Sequence, residues 1–192
     1  MDTVRCFVAV FLHQSLHREI AAIQRKLSHS GADIKWVEPC NLHFTLQFLG
    51  DVEKTRIPII ADALRECIGD SPGFPLQLDR VGAFPHLQNP RVLWVGVSTG
   101  REDLANLMST VGEAMKMEGF ARDSRGFSPH LTIGRVRSPR NLKTLLEKLN
   151  SHIRVRGKME VANIQFTASE LTTKGPIYTP IDIIPLQLPT EI

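Results

Sequence analysis

Apolar positions along the chain alternate between strand-like runs and helix-like stripes, and this rhythm predicts most of the secondary structure. Residues 5–12 are β-branched, aromatic and aliphatic, which predicts a buried strand. In residues 15–27 the apolar positions Leu16, Ile20, Ile23 and Leu27 fall on one helical face, and Gly31 ends that helix. A short strand over 34–37, a turn at Pro39 and a strand over 42–49 follow, the last closed by Gly50-Asp51. Ile57, Ile60, Ala61, Leu64 and Ile68 predict a second helix over 57–68, with Pro58 tolerated in its first turn. Strands are predicted over 74–81 and 91–97, separated by Gly82, Pro85, Asn89 and Pro90. A third helical stripe runs through Leu104, Leu107, Met108, Val111 and Met115, and a polar, basic loop spans 122–126. Residues 129–136 predict a strand, and Ser138-Pro139 predict the cap and first position of a fourth helix reaching Leu149. Two last strands are expected near 161–171 and 177–184.

Several neighbouring strands lack an intervening helix, so the pattern favours an α+β fold over a doubly wound parallel sheet. The order also repeats. A strand carrying His43 precedes a helix and two strands, and so does a strand carrying His130, which points to a duplication with two similar lobes.

Composition narrows the class. The chain has 192 residues, 42% of them hydrophobic and 22% charged, with mean hydropathy −0.08. These values fit a globular chain long enough to bury a core, and argue against a disordered, fibrous or membrane protein. The apolar run 7–12 is too short for a signal sequence or a membrane span. Cys6, Cys40 and Cys67 are odd in number and show no C-x-x-C spacing, so a reducing, cytoplasmic setting is expected, with no disulfide framework. Monomer is the default for this size. Charge is unevenly placed: residues 122–158 hold ten basic and two acidic residues, net +8, against −5 for the rest. Such a stretch suits either a solvated face or a phosphate-bearing partner.

The strongest chemical signal is the repeated pattern His, apolar, Thr, apolar: His43-Phe44-Thr45-Leu46 and His130-Leu131-Thr132-Ile133. Side chains alternate along a strand, so each His and its Thr share one face about 6 to 7 Å apart. One His on a strand is ordinarily a structural residue; the repetition at equivalent places favours function. Two imidazoles on one cleft divide acid and base work near neutral pH, and two hydroxyls can hold phosphate oxygens between them. Arg135, five residues past His130, would face away on a regular strand, so a phosphate role needs a bulge or twist near Gly134. His13, His17, His29, His86 and His152 show no ligand spacing, and no dinucleotide, Walker or serine-hydrolase motif is present. Neither a metal nor a cofactor is expected.

Around these motifs the chain resembles the two-histidine phosphoesterase superfamily, and within it the RNA 2′,3′-cyclic phosphodiesterase branch, also called 2′-5′ RNA ligase or LigT-like. The resemblance rests on Arg5-Cys6-Phe7-Val8-Ala9-Val10, Trp36-Val37, Asn41 through Gly50, Gly82-Ala83-Phe84-Pro85, Arg91 through Gly96, and Pro129 through Val136. It implies one bilobal α+β domain over 1–192: two similar, mainly antiparallel sheets flanked by helices, related by a pseudo-two-fold about a central cleft. It implies metal-independent hydrolysis of an RNA or nucleotide 2′,3′-cyclic phosphate to a 2′-phosphomonoester. Carried over to this chain, His43 is the general acid for the leaving 3′ oxygen, His130 is the general base for water, and Thr45, Thr132 and Arg135 hold the phosphate. Phe48 stands either as a stacking surface for the terminal base or as plain core. Three other readings share the motifs: a 2′,5′-phosphodiesterase, a reversible 2′-5′ RNA ligase, and a non-catalytic module binding RNA ends.

Overall fold

A computed structural model of the chain describes residues 2–121, 129–173 and 175–187. The expected basic loop over 122–126 lies outside the described residues. Nine strands and four helices are described: β1 (Thr3–Phe11), α1 (His17–Ser28), β2 (Ile34–Trp36), β3 (His43–Glu53), α2 (Ile57–Ile68), β4 (Phe74–Phe84), β5 (Val92–Val97), α3 (Arg101–Met117), β6 (His130–Val136), α4 (Leu142–Asn150), β7 (Lys158–Val161), β8 (Asn163–Leu171) and β9 (Pro176–Pro185). The fold is α+β, with a four-stranded sheet ordered β3-β1-β8-β9 and a five-stranded sheet ordered β2-β6-β5-β4-β7. Every described strand pair is antiparallel.

The repeated order of elements read in the sequence takes a swapped form. The run β1-α1-β3-α2-β4 corresponds to β5-α3-β6-α4-β8, and in each run the last strand leaves for the other sheet. β4 therefore pairs with β5, and β8 with β1. The helices follow the same rule: α1 packs with α4 and against β6, while α2 and α3 pack together, with α3 against β3. Apolar stripes explain this. Ile20, Ile23 and Leu27 of α1, and Leu104, Leu107, Val111 and Met115 of α3, are buried against sheet residues such as Phe44, Leu46, Leu131 and Ile133. The opposite faces of β3 and β6 carry the two histidines, and these two strands lie side by side where the sheets meet.

Four expectations are corrected. The strand near 161–171 is two strands: β7 pairs with β4, then the chain crosses at Ala162 and β8 joins the other sheet. Hydrophobicity alone continues through the crossing, so the break is invisible locally. Gly50-Asp51 does not end β3, because Gly50 at φ +72° sits in a bulge and pairing resumes to Glu53. Gly82 does not break β4; it lies inside the strand beneath the Trp94 ring, where a Cβ would stand 2.3 Å from that ring. The fourth helix does not start at Ser138-Pro139. Pro139 opens a turn that accepts from the Leu142 amide, Ser138 Oγ accepts instead from the Arg140 amide, and Asn141 at φ +52° precedes the helix. Among the described residues no helix is long and apolar enough to cross a membrane.

Candidate active site

Both motif strands carry the same irregularity. Along β3, Ala9 faces Thr45 and Val8 faces Gln47, so Leu46 is extra; along β6, Trp94 faces Thr132 and Leu93 faces Gly134, so Ile133 is extra. Each bulge falls on the residue after the motif Thr, and it reverses the alternation beyond that point. His43, Thr45 and Phe48 therefore share a face, as do His130, Thr132 and Arg135. The bulge that an Arg135 role requires is present, one residue before Gly134. It is held from outside: the Ile133 carbonyl accepts from the Val37 amide at 3.1 Å and from Gln24 Nε2 at 3.0 Å. Gly134 completes the corner, since a Cβ there would lie 2.9 Å from both Ile34 and Trp36.

The two bulges place unlike residues at matched positions, Phe48 in one lobe and Arg135 in the other. Phe48 is 56% exposed, which excludes the core alternative and leaves its ring free on the cleft face, 6.3 Å from that of Phe7. Thr45 and Thr132 are half-buried, and among the described residues neither hydroxyl makes a hydrogen bond. Arg135 is exposed and makes no ion pair there, yet its charge acts on both His43 and Tyr178.

Aromatic rings surround His43. Phe7 lies 4.9 Å away, Phe11 5.3 Å and Tyr178 5.4 Å, the last edge-on at 84°. Its Nδ1–H donates to the Asn41 carbonyl at 2.8 Å, which sets the tautomer and leaves Nε2 for the cleft. Burial among these rings lowers the His43 pKa from the usual 6.5 to about 4; the bond to Asn41 opposes the shift, and Arg135 and His130 add to it. His130 meets the edge of Phe84 at 4.9 Å and 89°, and Phe84 in turn packs against Trp94 at 5.2 Å with the rings tilted by 37°. Trp94 thus packs as expected, but on the cleft side, over Gly82.

Tyr178 and Asn41 belong to this site and were not singled out for it by sequence reasoning. Asn41 precedes His43 by two, and its role runs through a backbone carbonyl that any residue type would supply. Tyr178 is the one tyrosine of the chain, 135 residues from His43, and no local signal marks it. It arrives because the four-stranded sheet curls until its edge strands meet: Asn41 Nδ2, just ahead of β3, donates to the Pro176 carbonyl at the start of β9 at 3.0 Å. Burial raises the Tyr178 pKa, with Arg135 and Arg5 acting in the opposite direction. The other histidines stay apart, with His13, His29, His86 and His152 exposed. Among the described residues no three His, Cys, Asp or Glu side chains gather at one point.

Comparison with known proteins gives a consistent picture. A family model described as the 2′-5′ RNA ligase superfamily matches residues 10–173. A protein of Methanothermobacter thermautotrophicus named RNA 2′,3′-cyclic phosphodiesterase is 37% identical over 184 residues, 95% of this chain and 99% of that one. One of the same name from Archaeoglobus fulgidus is 39% identical over 176 residues, 91% of this chain and 96% of that one. Among solved structures, E. coli LigT complexed with 3′-AMP superposes with TM-score 0.78 at 25% identity, covering 96% of this chain and 99% of that one. A Thermus thermophilus protein shares the fold with TM-score 0.81 at 24% identity, covering 97% of this chain and 100% of that one.

Proposed function

Because this chain belongs to the 2′-5′ RNA ligase superfamily of two-histidine phosphoesterases, we propose that it hydrolyses RNA 2′,3′-cyclic phosphate ends to 2′-phosphomonoesters, with His43 and His130 as acid and base. The observation that carries this reading is the matched pair of bulged, neighbouring strands, each setting a His and a Thr on one face, with His130 and Arg135 near enough to His43 to act on it. The printed names of the relatives support the substrate class.

In this reaction the cyclic phosphate sits between the two strands, its oxygens taken by Thr45, Thr132 and Arg135. His130 removes a proton from water, which attacks phosphorus opposite the 3′ oxygen. His43 Nε2 gives a proton to that oxygen as its bond to phosphorus breaks. His43 must therefore be protonated in the complex although it is neutral at pH 7 in the free protein. The bound anion favours this by setting negative charge beside His43, against the burial that chiefly lowers its pKa and the smaller effects of Arg135 and His130. Phe48 offers its face to the terminal base. Each of these steps is carried by a side chain of the protein itself, without recourse to a metal. An RNA partner also suits the basic balance of the chain, and a cytoplasmic setting suits its free cysteines.

The test is hydrolysis of a short RNA ending in a 2′,3′-cyclic phosphate, in excess chelator, with the position of the product phosphate identified. His43→Ala and His130→Ala are each expected to lose on the order of 10²- to 10⁴-fold in kcat. With an activated p-nitrophenyl nucleotide diester, whose leaving group needs no proton, His43→Ala is expected to lose far less than His130→Ala. The opposite order would exchange the two roles. A folded but inert native protein would move the 2′,5′-linkage and RNA-end-binding readings ahead.

A further inference from the structure

The basic stretch singled out in the sequence divides between two edges of the five-stranded sheet, and only one of them borders the cleft. Arg154 and Lys158 lie at the β4-β7 edge, where Arg154 bridges to Arg80 and Lys158 pairs with Gln77. At the other edge, β2 runs antiparallel to β6 with Lys35 directly opposite Arg135. The same register continues one step further, where the Arg137 amide donates to the Asp33 carbonyl at 2.8 Å. Side chains alternate, so Arg137 shares the cleft face with Arg135 and Lys35. The tip of the β8-β9 hairpin reaches this corner as well: a Cβ on Gly175 would lie 4.0 Å from Lys35 Nζ. Lys35 thus stands at the cleft mouth, beside the start of the strand that carries Tyr178.

Three cations on one face of two short strands are an unfavourable arrangement by themselves, since like charges directly opposite in a strand pair destabilise it. Among the described residues of the two strands, the acid that the register sets on this face is Asp33, opposite Arg137, which leaves Lys35 and Arg135 facing each other with no carboxylate between them. The ion pairs among the described residues use Lys54, Arg56, Arg65, Arg80 and Lys116, and none involves Lys35, Arg135, Arg137 or Asp33. A chain of anions would relieve them. Residues two apart on a strand stand about 6 to 7 Å apart, of the order of one nucleotide step along an extended strand.

Resting on the activity proposed above, we propose that Lys35 and Arg137 form, with Arg135, a strip that binds phosphodiester groups upstream of the reacting end. The substrate is then an RNA strand rather than a mononucleotide. Arg135 serves the terminal phosphate, while Lys35 and Arg137 hold the backbone that follows it out of the cleft.

The test compares a nucleoside 2′,3′-cyclic monophosphate with an RNA decamer ending in the same cyclic nucleotide, over a range of salt. Lys35→Gln/Arg137→Gln is expected to lower kcat/KM for the decamer about tenfold more than for the mononucleotide. It should also flatten the decline of log kcat/KM with log salt by about 1.4, the value for two lost contacts to a single strand. Arg154→Gln/Lys158→Gln removes the same charge from the far edge and should leave the decamer-to-mononucleotide ratio as in the native protein. Equal losses on both substrates, or an equal effect from the far-edge pair, would overturn the strip. If neither substrate is hydrolysed, it is the proposed activity that fails. Binding of a labelled decamer ending in a 2′-phosphate then decides the strip: a tenfold weaker Kd in Lys35→Gln/Arg137→Gln upholds it, and an unchanged Kd overturns it.

Discussion

His43 takes up its proton far below the pH at which a free imidazole does, and this single residue ties function to stability. Its pKa is lowered from 6.5 to about 4 by burial, with Arg135 and His130 adding to the effect. The unfolded chain therefore binds this proton first as pH falls, and the folded state loses stability from about pH 6.5 downwards, levelling off below about pH 4. A shift of that size corresponds to about 3 kcal/mol across the window. Between pH 7 and pH 4 the free energy of urea unfolding should drop more for the native protein than for His43→Gln, by about 3 kcal/mol. Equal drops would mean that His43 is not held in the low-pKa environment described. The cause also explains why no motif reports it: the neighbours that lower the pKa, Phe7, Phe11, Tyr178, His130 and Arg135, come from three other strands.

At the scale of elements, the paired bulges decide what the cleft contains. On regular strands Phe48 and Arg135 would point away from the histidines, and the two motif strands would present four of these side chains on the histidine faces instead of six. The supports are specific: Gln24 from α1 on the Ile133 carbonyl, and small residues where rings must lie flat. Gly82 is the clearest of these, because it gives Trp94 room to lie beneath Phe84, which in turn meets His130. Gly82→Ala forces the Trp94 ring to move and should cost about 1 to 3 kcal/mol. Because the displaced ring carries Phe84 with it, turnover should fall beyond what the fraction folded explains, read as kcat well below the unfolding midpoint. A stable variant with native kcat would show that the Trp94-Phe84 contact does not position His130.

Across the whole molecule, the exchange of β4 and β8 makes each sheet depend on both halves of the chain. Neither half carries a complete sheet, so the two lobes should unfold as one cooperative unit. The chain supplies its own probes: Trp36 and Trp94 lie in the five-stranded sheet and Tyr178 in the four-stranded one. Urea transitions followed by tryptophan fluorescence, by tyrosine near-ultraviolet signal and by backbone circular dichroism are expected to coincide, and separate midpoints would show independent lobes. Most of the elements in their order, the α+β class, the repeat and the two motifs with their histidines and threonines are legible in the residues alone. Each of these depends on residues within a few positions of one another, through period 2 or period 3.6 or a short motif. Tertiary structure decided the rest. The split of residues 158–171 between two sheets, the bulges at Leu46 and Ile133, the true start of α4, the arrival of Tyr178 and the cation strip at β2 all depend on hydrogen bonds to residues distant in the chain. A local pattern states which way a side chain points only while the strand stays regular, and it is the partner strand that decides whether it does.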